Sequence, residues 1–298
     1  MRANGRFRGG MEVDAGEETV IQLVYQHNPD ARRAAQQPRN GQEALDWLNE
    51  GNRRFAALRP SRIASGTGAA SSMVIDSDLG FGIAPGVAPE QRPFGIVLGC
   101  ADARVPIELI FGQSVNDLFV VRMAGNTVGS DGLGSIDYAV GQFPSVRIAA
   151  VLGHTVCGAV SAAVDVFQNP TGFLELAASL PLRSLVDRIL VMVRASAEAL
   201  EEAHGNGVRE APGYRSALIQ TSVGLNAAYA AYSLRAEFAG GVGSDVLVVW
   251  GVYDLATRSC GAPGVNECGL AVPPQDVEGF RVLALNLAKS PQTMGFLR

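Results

Sequence analysis

Three side chains in this 298-residue sequence could hold a metal ion between them: Cys100, His154 and Cys157. Their pattern is C-x53-H-x2-C. Two thiolates and one imidazole suit zinc, and three protein ligands leave the fourth tetrahedral position to water or substrate, as in catalytic sites. The spacing alone fits equally well with two small buried cysteines and a hydrogen-bonded histidine at a strand end. Asp102 and Arg104 add chemistry in the same loop as Cys100. A charge-assisted pair there could orient a water and hold the carboxylate away from a metal; taken alone it is an ordinary loop salt bridge. Cys260 and Cys268, spaced C-x7-C, could form a redox pair or a second metal site. No histidine lies near them, so free thiols are expected. His27 and His204 could relay a proton, or could be plain surface histidines.

These residues need strands and helices to bring them together. The apolar run Phe94–Gly99 predicts a buried strand that empties into the Cys100 loop. Asp117–Ala124, Arg147–His154 and Asp245–Leu255 predict three more strands, the second ending on His154. Helices are predicted over Ser130–Phe143, Thr155–Phe167 and Asn226–Phe238, with a helical stretch over Asn169–Asn226 broken near Pro181 and in Gly205–Gly213. Cys260–Pro274 is turn-rich, and Phe280–Leu287 predicts a short element. Near-continuous apolar strands alternating with helices give an α/β fold, with a mostly parallel central sheet flanked by helices. Ligands in such sheets bind outside the carboxyl ends of strands, where Cys100 and His154 fall.

Residues 1–40 read as an N-terminal extension, flexible or docking, and 41–298 as one α/β domain. From Gly41 the residues Ala44, Leu45, Leu48, Phe55 and Leu58 recur at helical spacing. This amphipathic arm needs a surface, either its own domain or a partner subunit. Residues 60–93, rich in Gly, Ser, Ala and Pro, predict an irregular excursion. A net charge of −5 argues against a basic nucleic-acid surface. The absence of an uninterrupted apolar run of about eighteen residues argues against a membrane span. Arg2, Arg6 and Arg8 have no apolar run behind them, so no secretory signal is expected and a cytoplasmic location is.

Together, C-A-D-A-R-V-P at 100–106, R-x-A-G-N at 122–126, G-H-x-x-C-G at 153–158 and the closing G-V-Y-D at 251–254 resemble the β-class carbonic anhydrases over about Gly41 to Leu255. The resemblance implies zinc on Cys100, His154 and Cys157, Asp102–Arg104 as a catalytic dyad, and reversible hydration of carbon dioxide to bicarbonate and a proton by zinc-bound hydroxide. It places Gln91, Phe119 and Tyr138 in the substrate pocket. That pocket would lie at a dimer interface, so a homodimer or higher even-numbered assembly is implied, with the 41–60 helix packing on a partner subunit. Ala103 and Met123 depart from the commoner serine and asparagine. Val97 stands where relatives regulated by a second bicarbonate carry tryptophan, although Arg122 and Tyr253 match the rest of that pocket. Water on zinc, with Asp102 held by Arg104, is therefore the expected resting state, and Asp102 as a fourth ligand at low pH stays open. Two thiolates acidify a metal-bound water less than neutral imidazoles do, so activity is expected to rise toward alkaline pH. Two other readings stand beside this one: a carbonyl sulfide or carbon disulfide hydrolase on the same scaffold, and a non-catalytic zinc-stabilised subunit docked through residues 1–40.

Overall fold

A computed structural model describes residues 19–27, 37–58, 61–62, 71–77, 86–169, 171 and 179–298. Near the start of the chain, β1 (Thr19–His27) is followed by helix α1 (Gly41–Ala57), then β2 (Ser61–Arg62) and β3 (Ser71–Ser77). The strands form a small sheet of order β2-β1-β3, with β1 parallel to β3. The 60–93 stretch is therefore not wholly irregular, and part of the 1–40 extension is a strand. Met73 and Ile75 alternate along β3 and pack on Phe55 and Leu58. That two-residue apolar alternation is too short to stand out among serines.

The central sheet contains β4 (Gly95–Gly99), β5 (Leu118–Arg122), β6 (Ile148–His154), β7 (Leu247–Tyr253) and β8 (Cys260–Gly261), in the order β5-β4-β6-β7-β8. The first four strands are parallel and β8 is antiparallel. Every residue of β4 and β6 is buried, which is why these strands read as unbroken apolar runs. Ile96, Leu98, Ala149, Val151 and Trp250 face one core. Covering that face are α3 (Ser130–Gln142), α4 (Gly158–Gln168), α5 (Leu180–His204), α6 (Tyr214–Phe238) and α7 (Val277–Ala288). A final helix, α8 (Pro291–Leu297), packs against α6. The opposite face carries Val97, Ile148, Ala150, Leu152 and Val249, under α1 and the one-turn helix α2 (Ile107–Ile110).

Helix α1 begins at an Asn40 cap, whose Oδ1 accepts the Glu43 amide at 2.9 Å. Its Ala44 and Leu48 pack into the same core as Phe94, Val97 and Phe111. The arm thus gives its apolar face to its own chain, and only its outer side, with Trp47 39% exposed, is left for a partner subunit. Helix α6 runs through Asn226 without the expected break, because it is buried on nearly all sides and that asparagine finds a partner. Helix α4 starts at Gly158 rather than Thr155, since Thr155 and Val156 form a turn. Among the described residues, no helix is long and apolar enough to cross a membrane.

The strand order locates the site. The chain leaves β4 for β5 on one side, crosses back to β6 on the other, and continues outward to β7. Connections therefore depart in opposite directions from the adjacent carboxyl ends of β4 and β6, and a crevice opens between them. Cys100 follows β4, and His154 ends β6.

Candidate metal centre

Gly99, the last residue of β4, is paired with Leu152, and β6 runs two residues further to His154. Gly99 is where the short Ile107–Ile110 helix closes on the sheet: a Cβ there would lie 2.5 Å from Ile107 Cδ1. Beyond it, Cys100, His154 and Cys157 converge, with their ligand atoms within 4.8 Å of one another. All three are buried, His154 completely. The turn that carries Cys157 to them puts Val156 at φ +56°, a left-handed conformation costly for a β-branched residue. The turned backbone presents the Val156 carbonyl to Arg104 Nη2 at 3.4 Å.

His154 Nδ1 lies 3.0 Å from the Thr155 carbonyl, an acceptor that requires the proton on that nitrogen. Nε2 then carries a lone pair, and it is a buried atom without a hydrogen-bond partner. Thr155 is itself fixed: its amide donates to Tyr253 O at 3.0 Å and its hydroxyl accepts the Leu255 amide at 3.0 Å. The thiols share a proton. A hydrogen bond from Cys157 first, then the amides of Asp102 and Gly125, pulls the Cys100 thiol well below its ordinary value against the effect of burial. Cys157 is pushed up, first by that same bond and then by burial. Two buried thiols that cannot both ionise alone, beside an unpartnered imidazole lone pair, are what a divalent cation would satisfy. The donor set S, S, N fits zinc.

Arg104 grips Asp102 at both oxygens: Nε donates to Oδ1 at 2.9 Å and Nη2 to Oδ2 at 2.7 Å. The Arg104 amide adds a third bond to Oδ1, at 2.9 Å. These bonds, the guanidinium first, hold the Asp102 carboxyl well below the usual carboxylate range. Its Oδ2 lies 3.8 Å from His154 Nε2, so the carboxylate borders the cluster and is turned toward Arg104. Arg122 ties the loop down from β5, donating to the Cys100 carbonyl at 3.1 Å and to the Asp102 carbonyl. Its guanidinium is thus engaged, Val97 is fully buried in the core and Tyr253 is buried beside it.

The residues expected to line the pocket lie elsewhere in the chain. Phe119 pairs with Ile96 near the amino ends of β4 and β5, about 13 Å along the strand from Cys100 at roughly 3.3 Å per residue. Tyr138 meets Phe143 edge-on and Phe119 lies tilted against it, at 5.9 and 6.0 Å between ring centroids. Gln91 is exposed on the segment bound to Asn116, again before the strands begin. Within one chain these three are not brought to Cys100. His204 is bonded to Ala288 O through Nε2 at 2.9 Å, linking α5 to α7, while the His27 side chain lies outside the described residues. Cys260 and Cys268 are both unpaired, and among the described residues the Cys100 cluster is the only group that could hold a metal.

Sequence reasoning named Gly125 only within the R-x-A-G-N motif and Asn226 only as a helix boundary, and gave neither a role at the site. The Gly125 amide donates to Cys100 Sγ at 3.3 Å, and Asn226 Nδ2 donates to the Gly125 carbonyl at 2.9 Å. An asparagine within the otherwise apolar or small run Val223–Ala231 was the available signal.

A family profile described as carbonic anhydrase matches residues 95–231. A carbonic anhydrase of Mycolicibacterium smegmatis is 35% identical over 180 residues, covering 57% of this chain and 76% of that protein. Carbonic anhydrase 2 of Mycobacterium tuberculosis is 42% identical over 124 residues, 42% of this chain. There the chain spans about half, 53%, of the relative's length. Among solved structures, a Coccomyxa β-carbonic anhydrase aligns with TM-score 0.45 at 19% identity, covering 64% of this chain and 78% of that one.

Proposed function

This chain belongs to the β-class carbonic anhydrase family, and on that premise we propose that it is a zinc enzyme catalysing the reversible hydration of carbon dioxide to bicarbonate and a proton. One observation carries the reading: the two buried sulfurs and the unpartnered His154 Nε2 within 4.8 Å, bordered by an Asp102 that Arg104 holds ionised. A zinc ion held by Cys100, His154 and Cys157 would supply Lewis-acid chemistry, acidifying a water so that it could attack the carbon of the substrate.

The chain's own residues do the rest. Cys100 and Cys157 give up their shared proton and together balance the charge of a divalent ion. The Thr155 carbonyl keeps the His154 proton on Nδ1, which leaves Nε2 free to ligate. Asp102 Oδ2 is an acceptor beside the ligand atoms, and a water donating to it turns a lone pair toward the substrate. Arg104 keeps that carboxylate charged and prevents it from swinging in as a fourth ligand.

Gln91, Phe119 and Tyr138 are proposed to line the pocket of a neighbouring copy, since within their own chain they lie away from Cys100: Gln91 before β4, Phe119 near the amino end of β5 and Tyr138 on α3. The chain then acts as a homodimer or larger even-numbered assembly. Four unpaired thiols suit the reducing cytoplasm. The test is zinc content together with hydration of carbon dioxide and hydrolysis of carbonyl sulfide on the same preparation. About one zinc per chain with carbon dioxide as the faster substrate is expected. Wild-type protein without stoichiometric zinc sinks the reading, and hydrogen sulfide release outpacing hydration reassigns the substrate.

A further inference from the structure

The Gly125 peptide donates to Cys100 Sγ at 3.3 Å from across the site, and glycine is the residue least able to hold such a donor by itself. Gly125 has φ +65°, a region other residues seldom enter, and it has no room for a side chain: a Cβ would lie 2.8 Å from Ile189 Cδ1 and 3.1 Å from Ala159 Cβ. Its orientation must therefore come from outside the turn. Asn226 provides it. Only 5% exposed on α6, it donates to the Gly125 carbonyl at 2.9 Å. The sequence arranges this meeting through Gly153, next to His154. A Cβ on Gly153 would lie 3.2 Å from Ala227 Cβ and 3.4 Å from Val223 O, so the missing side chain lets α6 press against the end of β6 and brings Asn226 to the turn.

We infer that Asn226 is a positioning residue for the metal centre, clamping the Gly125 peptide so that its amide stays aimed at the Cys100 sulfur. The inference rests on the metal-centre reading of Cys100. Donors behind a ligand fix its orientation and basicity, and removing such a partner commonly weakens metal binding about 10- to 100-fold.

Asn226→Asp keeps the shape but removes the donor, and Asn226→Ala removes both. In each, zinc affinity by chelator competition is expected to fall about tenfold. The sulfur-to-metal charge-transfer band of the cobalt-substituted protein is expected to shift. A lowered thermal midpoint with zinc affinity and band position unchanged makes Asn226 merely structural and overturns the inference. Should neither variant fold, cadmium-113-loaded wild type decides: a coupling between the Gly125 amide proton and cadmium supports the clamp, and its absence overturns it. A cobalt-treated wild type with no charge-transfer band overturns the metal centre itself, whereas a normal wild-type band with unaffected variants overturns only the role of Asn226.

Discussion

Three cysteines of this chain are buried to nearly the same degree: Cys100 is 4% exposed, Cys157 1% and Cys260 3%. Their surroundings differ in kind. Cys100 and Cys157 face each other, an imidazole lone pair and backbone amides. Cys260, on the edge strand β8, lies in the apolar core with Tyr253 and Leu270. Its amide is satisfied by Asn52 Oδ1 at 2.7 Å, and burial alone pushes its thiol up. Burial therefore does not make a cysteine a ligand. What does is a set of donors and lone pairs that would leave charge uncompensated without a cation.

The largest expected effect tests that contrast directly. Cys157→Ala should lose stoichiometric zinc and lower carbon dioxide hydration roughly a thousandfold or more. Cys260→Ala should retain both, at a stability cost of about 1 kcal/mol. Metal analysis and stopped-flow assays of the two variants side by side check this, and equal loss of zinc in both would erase the distinction.

Arg104→Ala probes the polar side of the comparison at smaller amplitude. Zinc should remain while kcat falls about 10- to 100-fold, because Asp102 loses its two guanidinium bonds. The sign of the pH effect follows from Asp102. Its carboxyl is depressed in the folded state, so the associated stability is present above the unfolded value of about 3.9 and is lost as pH falls below it. The variant's carboxyl returns toward the ordinary range, moving the acid limb of its activity profile to higher pH. An acid limb that stays in place would show that Arg104 does not hold the carboxylate.

The polar cluster was largely legible in the sequence, for a physical reason. A parallel strand buried on both faces must be apolar throughout, so β4, β6 and β7 announce themselves and their ends point to Cys100 and His154. The partner of Gly125 was hidden because Asn226 lies 101 residues away and meets it only through helix packing. The same polar residue made α6 read as two helices, although a helix buried on nearly all sides tolerates one asparagine that has a partner. Strand β3 was missed because, among its described side chains, just Met73 and Ile75 face a core. The distance of Phe119 from Cys100 follows from its register opposite Ile96 near the amino ends of β4 and β5, which motif spacing does not encode.

The smallest expected effect lies in the alkaline stability of the apolar cysteine. Cys260 is an acid whose folded value is raised by burial, so above about pH 8.5 the unfolded chain releases the proton first. The folded state then binds more protons than the unfolded state, and stability must fall as pH rises, by at most about 1.4 kcal/mol per pH unit. Alanine at 260 has nothing to titrate, so the urea midpoint of zinc-loaded Cys260→Ala should decline less steeply between about pH 8.5 and 10 than that of wild type. Tyr253 is raised first by burial and then by Cys260, so the variant removes that second contribution too and the difference in slope has the same sign. Parallel declines would mean that Cys260 ionises as readily folded as unfolded, and its environment would then not differ from that of the ligand pair in the way its apolar neighbours require.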